Sequence, residues 1–255
     1  MGQNKVEKKK TAIKISKRAI MMGGIAAIAL GAVAVHIAIN KTVTETQCKD
    51  EKSFGSYYNP ANPNAITIDK PIIYLYGYNN ERVKVSMDQA SGISISYPEY
   101  GSSGWQIIAK PDGHLTDQKT GKDLYALYYE MQDSKIPQAF AHGDGFLVEK
   151  SSISDFLDEK LTLLGLDYKE REEFITYWLP KLAQNQYNHI YFASADEINE
   201  CVTNLQISPA ADQQIRIWMI AEPATKNTVT KEQQLSQVIR QTTGKLIVEW
   251  SGTIR

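Results

Sequence analysis

The sequence predicts an α+β protein in which a mainly antiparallel β-sheet carries an inserted antiparallel helix pair and is preceded by one transmembrane helix. Three observations carry that expectation. Ala19 to Ile39 is an unbroken apolar run. Apolar and polar residues alternate with period 2 in several short segments between residues 70 and 131. Between residues 152 and 182 the period changes to that of a helix, and residues suited to capping stand at the starts.

The apolar run is 21 residues long, and at 1.5 Å rise a helix of that length spans about 31 Å, close to the hydrocarbon thickness of a bilayer. Its single ionisable group, His36, falls in the last turn, where an imidazole reaches the interface. Residues 1–18 carry Lys5, Lys8, Lys9, Lys10, Lys14, Lys17 and Arg18 against Glu7 alone. The positive-inside rule therefore keeps the N-terminus cytoplasmic and exports the residues after Asn40. The whole chain has a formal charge of −1 and the tail carries +6, so the remainder carries −7. The lipid bilayer is the first partner expected, the basic tail lying against anionic headgroups. A lysine cluster abutting a span is what topology requires, so nucleic acid is not expected as a partner. Ala32-Val33-Ala34 is an A-x-A site, and cleavage as a signal peptide is the alternative to anchoring; the run continues past it to Ile39, which favours the anchor. Ala19, Gly23, Ala27 and Gly31 form a small-residue ridge that would let two spans approach in a homodimer, although the abundance of Gly and Ala in this run is the simpler and favoured account of the ridge.

Residues 40–65 lack an apolar period and end in the turn formers Asn59 to Asn64, so they read as an extracytoplasmic spacer before a domain over 66–255. In its β unit, 70–131, Pro71–Tyr76 is apolar on both faces and predicts a central strand. Arg82–Met87, Ile93–Tyr97 and Gly104–Ala109 predict further strands, Lys110–Gly113 supplies a tight turn into His114–Thr116, and Leu124–Met131 returns. The α+β part, 145–255, opens with the strand Gly145–Val148. Ser152 with Asp155 predicts a capped helix ending at Gly165, and Asp167 with Glu170 predicts a capping box opening a second helix that Pro180 kinks or splits. Strands are expected at His189–Ala193, Asn204–Ser208, Ile215–Ala221 and Lys245–Trp250. A short helix is expected between the last two, with Thr230 and Gln233 as its capping box and Leu235, Val238 and Ile239 on one face.

No CxxC, HExxH, P-loop or GxGxxG occurs, and no Cys/His cluster has zinc spacing, so neither a metal nor a cofactor is expected. The two cysteines, Cys48 and Cys201, both fall on the expected exported side, where a disulfide between them and a pair of free thiols are equally open. Ten of the fourteen tyrosines lie between Tyr57 and Tyr129. Exported β domains stack sugar rings on such aromatics, which makes Tyr100, Trp105 and Tyr128 candidate ligand-binding residues and a cell-envelope glycan, or another surface protein, the expected ligand; the bland alternative is that they are strand-forming core. Glu99, Asp112, His114 and Glu130 are the candidates for acid–base chemistry, since two carboxylates about 5–10 Å apart can run glycoside hydrolysis.

Six segments resemble a family when taken together: KPIIYLY (Lys70–Tyr76), SYPEY (Ser96–Tyr100), GW with AKPDG (Gly104-Trp105 and Ala109–Gly113), YWLPKL (Tyr177–Leu182), IRIWMI (Ile215–Ile220) and VEWSGT (Val248–Thr253). The family is one of uncharacterised bacterial proteins, common in Gram-positive anaerobes and often exported or membrane-anchored. The likeness runs from Lys70 to the C-terminus, and Gly77 and Tyr78 depart from a pattern that has Pro and Glu after IYLY. The family has no assigned activity, so the resemblance implies no catalytic residue. The expectation is a single-pass surface protein with a binding or structural domain; the alternative is an envelope-polymer hydrolase using a carboxylate pair of the β unit.

Overall fold

A computed structural model describes residues 68–131 and 144–255. The run 19–39, the spacer 40–65 and Cys48 lie outside them, and so does the expected span; among the described residues no helix is long and apolar enough to cross a membrane. The domain is α+β, with mixed sheets that are mostly antiparallel.

In chain order the elements are β1 (Asp69–Tyr76), β2 (Glu81–Met87), β3 (Ile93–Tyr97), β4 (Trp105–Ala109), β5 (Leu115–Asp117), β6 (Asp123–Leu124), β7 (Leu127–Met131) and β8 (Asp144–Glu149). Next come helices α1 (Ile153–Leu163) and α2 (Tyr168–Leu182), then β9 (Tyr187–Ala193), α3 (Ala195–Cys201), β10 (Leu205–Ser208), β11 (Gln213–Ala224), β12 (Lys231–Glu232) and β13 (Leu246–Ile254). They build an eight-stranded sheet of order β12-β8-β9-β11-β13-β1-β7-β3 and a five-stranded sheet of order β10-β2-β4-β5-β6. The strands of residues 70–131 are therefore divided: β1, β3 and β7 join the large sheet, while β2, β4, β5 and β6 join the small one. Two neighbouring pairs of the large sheet, β11 with β13 and β12 with β8, run parallel.

The central strand expected over Pro71–Tyr76 is β1, paired on both sides, by β13 and β7. Alternation then assigns its faces. Ile72 and Tyr74 join the core under the helix pair with Val248 and Trp250 of β13 and Ile215, Ile217 and Met219 of β11. The intervening Ile73, Leu75, Ile247 and Trp218 are buried on the opposite face, where Trp105 of the small sheet meets Tyr129 of β7 at 6.1 Å between ring centroids. Helix α1 contributes Ile153, Leu157 and Leu161 and α2 contributes Phe174, Trp178 and Leu182, each set spaced by four residues and wholly buried. Burial of one such side chain is worth about 1.5–3 kcal/mol, which is why two short helices hold to the sheet. Gly252 of β13 lies under Trp178: a Cβ there would stand 2.7 Å from the indole Cζ2.

The Asp167–Glu170 capping box forms in full. Ser152 occupies the N-cap of α1, yet its hydroxyl accepts no capping bond and a 3-10 turn, Lys150–Ser152, leads in. Helix α2 is not split at Pro180 but continues to Leu182, because a proline in the final turn removes only one late hydrogen bond. The helix expected after Thr230 is corrected: that segment is extended or irregular, with only the two-residue β12. Its capping residues are engaged elsewhere. The Gln233 amide accepts from the backbone N–H of Phe192 and donates to its carbonyl, and Thr230 contacts His189. Conversely, α3 is not expected from the sequence; Ser194 and Glu197 supply its capping box, and it packs on β11.

Candidate functional site

The large sheet is wider than the helix pair that covers it. Register places Tyr128 of β7 opposite Ile72 of β1, and Tyr97 and Ile95 of β3 opposite Tyr128 and Glu130. These four β7 and β3 side chains therefore share the helix-side face; Tyr128 packs against the core under the helix pair, while Ile95 and Tyr97 stand farther out on the edge strand β3. Ile95 is 54% exposed, Tyr97 51%, and Tyr125, just before β7, 62%. The result is an aromatic shelf beside the outer flank of α2.

Where the shelf meets α2, a polar cluster forms around Glu173. Its carboxylate accepts from the Tyr74 hydroxyl at 2.6 Å and the Tyr125 hydroxyl at 2.9 Å, and the Lys70 ammonium lies 3.9 Å away. The Tyr74 oxygen also accepts from Trp250 Nε1 at 3.1 Å. Lys70 sits over the rings of Tyr177 and Trp250, 4.8 and 5.5 Å from their centroids. It adopts φ +54° at an irregularity in β1, a conformation that costs a non-glycine residue about 1 kcal/mol or more and that surrounding contacts must hold. Farther along α2, Lys181 bonds Asp69 at 3.2 Å and the Tyr177 hydroxyl at 3.0 Å. Tyr128 donates a short bond to Glu130.

These neighbours move the titrations. Burial, then the bond to Glu173, pushes the Tyr125 phenol up to about 12 and carries Tyr74 well beyond that. Burial pulls Lys181 down, but the Tyr177 hydroxyl and Asp69 outweigh it and the ammonium is held above its usual range. The tyrosine hydroxyls are thus hydrogen-bond donors at any physiological pH. The shelf offers exposed π-faces next to a fixed carboxylate and two ammonium groups, the combination that binds a polyhydroxylated ring: C–H edges stack on the aromatic face while hydroxyls bond the charged rim.

The residues singled out in the sequence are distributed differently from a catalytic pair. Glu99 pairs with Lys119 at 2.5 Å and both are exposed. Asp112 accepts from the His114 backbone N–H at 3.1 Å, as its turn requires, while the His114 ring meets Asp123 at 2.8 Å. Glu130 accepts from Tyr128. Among these four, the only hydrogen bond is that between Asp112 and the His114 backbone. Of the three aromatic candidates, Tyr128 belongs to the shelf. Trp105 is buried in the small sheet with its Nε1 on the Pro98 carbonyl, and Tyr100 stands edge-on to it at 4.7 Å with its hydroxyl accepting from Met87 N–H. Those two rings are packing groups. Cys201 lies at the end of α3. Among the described residues no group of three or more His, Cys, Asp or Glu side chains is placed to hold a metal ion.

Lys70, Glu173, Tyr125 and Tyr97 are not candidates from sequence. A signal is present, because KPIIYLY supplies Lys70 and Tyr74, YWLPKL supplies Tyr177 and Lys181, and VEWSGT supplies Trp250. Three of the six distinctive segments converge on one cluster. No protein-family model, no curated protein and no solved structure matches this chain.

Proposed function

We propose that this is a single-pass membrane protein, N-terminus inside, whose extracytoplasmic α+β domain binds a glycan of the cell envelope on the shelf formed by Tyr97, Tyr125 and Tyr128. The resemblance to exported bacterial proteins and the basic-flanked run 19–39 support the anchoring. One observation carries the binding site: Tyr97 and Tyr125 stay half or more exposed beside the partly buried Tyr128 and a carboxylate held by two tyrosines. An aromatic face left exposed to water gains free energy when a ligand covers it.

The test is affinity electrophoresis of the full chain in gels containing envelope polysaccharide. Retardation is expected, and Tyr125→Ala with Tyr97→Ala should weaken it about tenfold or more, the equivalent of about 1.4 kcal/mol, while thermal melts of the same variant report that it is folded. Equal mobility with and without polysaccharide would remove the glycan reading. Protease shaving tests the topology separately: a domain protected in intact cells and digested only after lysis would overturn the N-in assignment.

A further inference from the structure

Far along the large sheet from the shelf, toward its β12 edge, three side chains of separate segments meet in line. His189 of β9 has Nδ1 3.2 Å from the Glu222 carboxylate of β11 and Nε2 3.0 Å from the Thr230 hydroxyl. A carboxylate only accepts hydrogen bonds, so the bond to Glu222 places a proton on Nδ1. In the neutral ring Nε2 is then left with a lone pair facing the hydroxyl, which can donate to it at 3.0 Å; the Lys231 carbonyl lies farther from the hydroxyl, at 3.4 Å. This is the relation of hydroxyl, base and orienting carboxylate that activates an oxygen nucleophile on unrelated folds. Space for the ring depends on Gly145 of β8, where a Cβ would stand 2.3 Å from Nε2. His189 is mostly shielded, its side chain 13% exposed, while Glu222 is 48% exposed, so the base is held and the relay is open on one side.

We propose that Thr230, His189 and Glu222 form an acyl-transfer site for carboxylic esters. Thr230 Oγ1 attacks the ester carbonyl carbon while its proton passes to His189 Nε2. The tetrahedral adduct collapses with rupture of the bond to the leaving alkoxide, which takes the proton from Nε2. Water then attacks the acyl-threonine, gives a proton to Nε2 and breaks the bond to Oγ1, to which the proton returns. Ester and water become acid and alcohol, with no redox partner. Glu222 is a positioning residue: it holds the ring tautomer and offsets the imidazolium charge.

The experiment treats the full chain with a fluorophosphonate probe and maps the adduct by mass spectrometry. Labelling at Thr230 is expected. Thr230→Val and His189→Gln should abolish it, Thr230→Ser should retain it, and Glu222→Gln should slow it about a hundredfold. Loss of the Glu222 charge should also move the pH midpoint of labelling downward, since the imidazolium is less favoured. Thermal melts of the same variants report folding. An absence of adduct in the folded parent chain, an adduct that survives in a folded Thr230→Val, or an unmoved pH midpoint in Glu222→Gln would overturn the proposal. The trio would then be a structural clasp between β9, β11 and the segment before β12.

Discussion

Replacing Arg216 by methionine tests how the two faces of the large sheet are joined. Arg216 of β11 and Glu249 of β13 form an ion pair with Nε 2.5 Å from the carboxylate, their side chains 1% and 0% exposed. Tyr129 adds a second donor to Glu249 at 2.6 Å, while Arg216 Nη1 reaches Asn199 of α3 and the Thr203 carbonyl. The pair thus ties α3 to the sheet. Removing one partner of a buried pair costs about 3–5 kcal/mol, because the other charge is left uncompensated. Against this, Arg216 Nη2 has no partner among the described residues, and deleting an unsatisfied buried donor returns about 1–3 kcal/mol. The central expectation is a loss of about 2 kcal/mol, which for a domain of this size lowers Tm by about 4–8 °C. Arg216→Met with Glu249→Leu removes both charges and leaves only neutral groups without partners, so the double variant should be no less stable than Arg216→Met alone. Urea unfolding of the full chain in detergent micelles measures these two variants and Glu249→Leu alone. A cost under about 1 kcal/mol for Arg216→Met, or a double variant as costly as the two singles together, would refute the reasoning.

Two more outcomes concern a close loop contact and the buried phenols. Gly77 has φ +76°, and a Cβ there would lie 1.9 Å from the Gly244 carbonyl oxygen; Gly77→Ala should therefore cost about 3 kcal/mol or more in the same unfolding assay, and an unchanged midpoint would deny the close approach of these two loops. The tyrosines predict alkaline lability. Burial, reinforced by Glu81 at Tyr78 and by Glu173 at Tyr74, pushes the Tyr78 phenol up to about 12 from an ordinary 10 and the Tyr74 phenol well above that. Groups raised in the folded state contribute stability that is whole below pH 10 and lost as pH rises toward 12, so unfolding midpoints should fall across that window, and tyrosinate absorbance should rise in part only on unfolding.

Much of the secondary structure is legible because it is written in local spacing. Ile153, Leu157 and Leu161 repeat by four, Asp167 and Glu170 stand three apart, and Pro71–Tyr76 is apolar on both faces; each pattern predicts its element from a few neighbours. The segment after Thr230 shows the limit. Thr230 and Gln233 have the spacing of a capping box, yet His189 and Phe192, each 41 positions upstream of its partner, compete for them and win. The helix at Ser194 is hard to see in the sequence because its capping box opens too few residues to show a period.

The candidate sites are less legible. Tyr128 and Glu130 do share the helix-side face of the sheet, but Trp105, a ligand-binding candidate by residue type, is core, since aromatic side chains fit strands for either purpose. Glu173 meets Tyr74 from 99 positions away, and no local rule joins them.

The sequence by itself determined most of the strands and the two long helices, where most of them start, and an apolar run with a charge bias that gives an expected direction. Only the tertiary structure decided how residues 70–131 divide between two sheets, that the edge strand β3 leaves Ile95 and Tyr97 exposed, and that Glu222, His189 and Thr230 meet. The reason is energetic: propensity and capping act over a few residues, whereas pairing is chosen by burial among distant segments whose loop-closure costs rise only slowly with separation, so distance along the chain scarcely discriminates between partners.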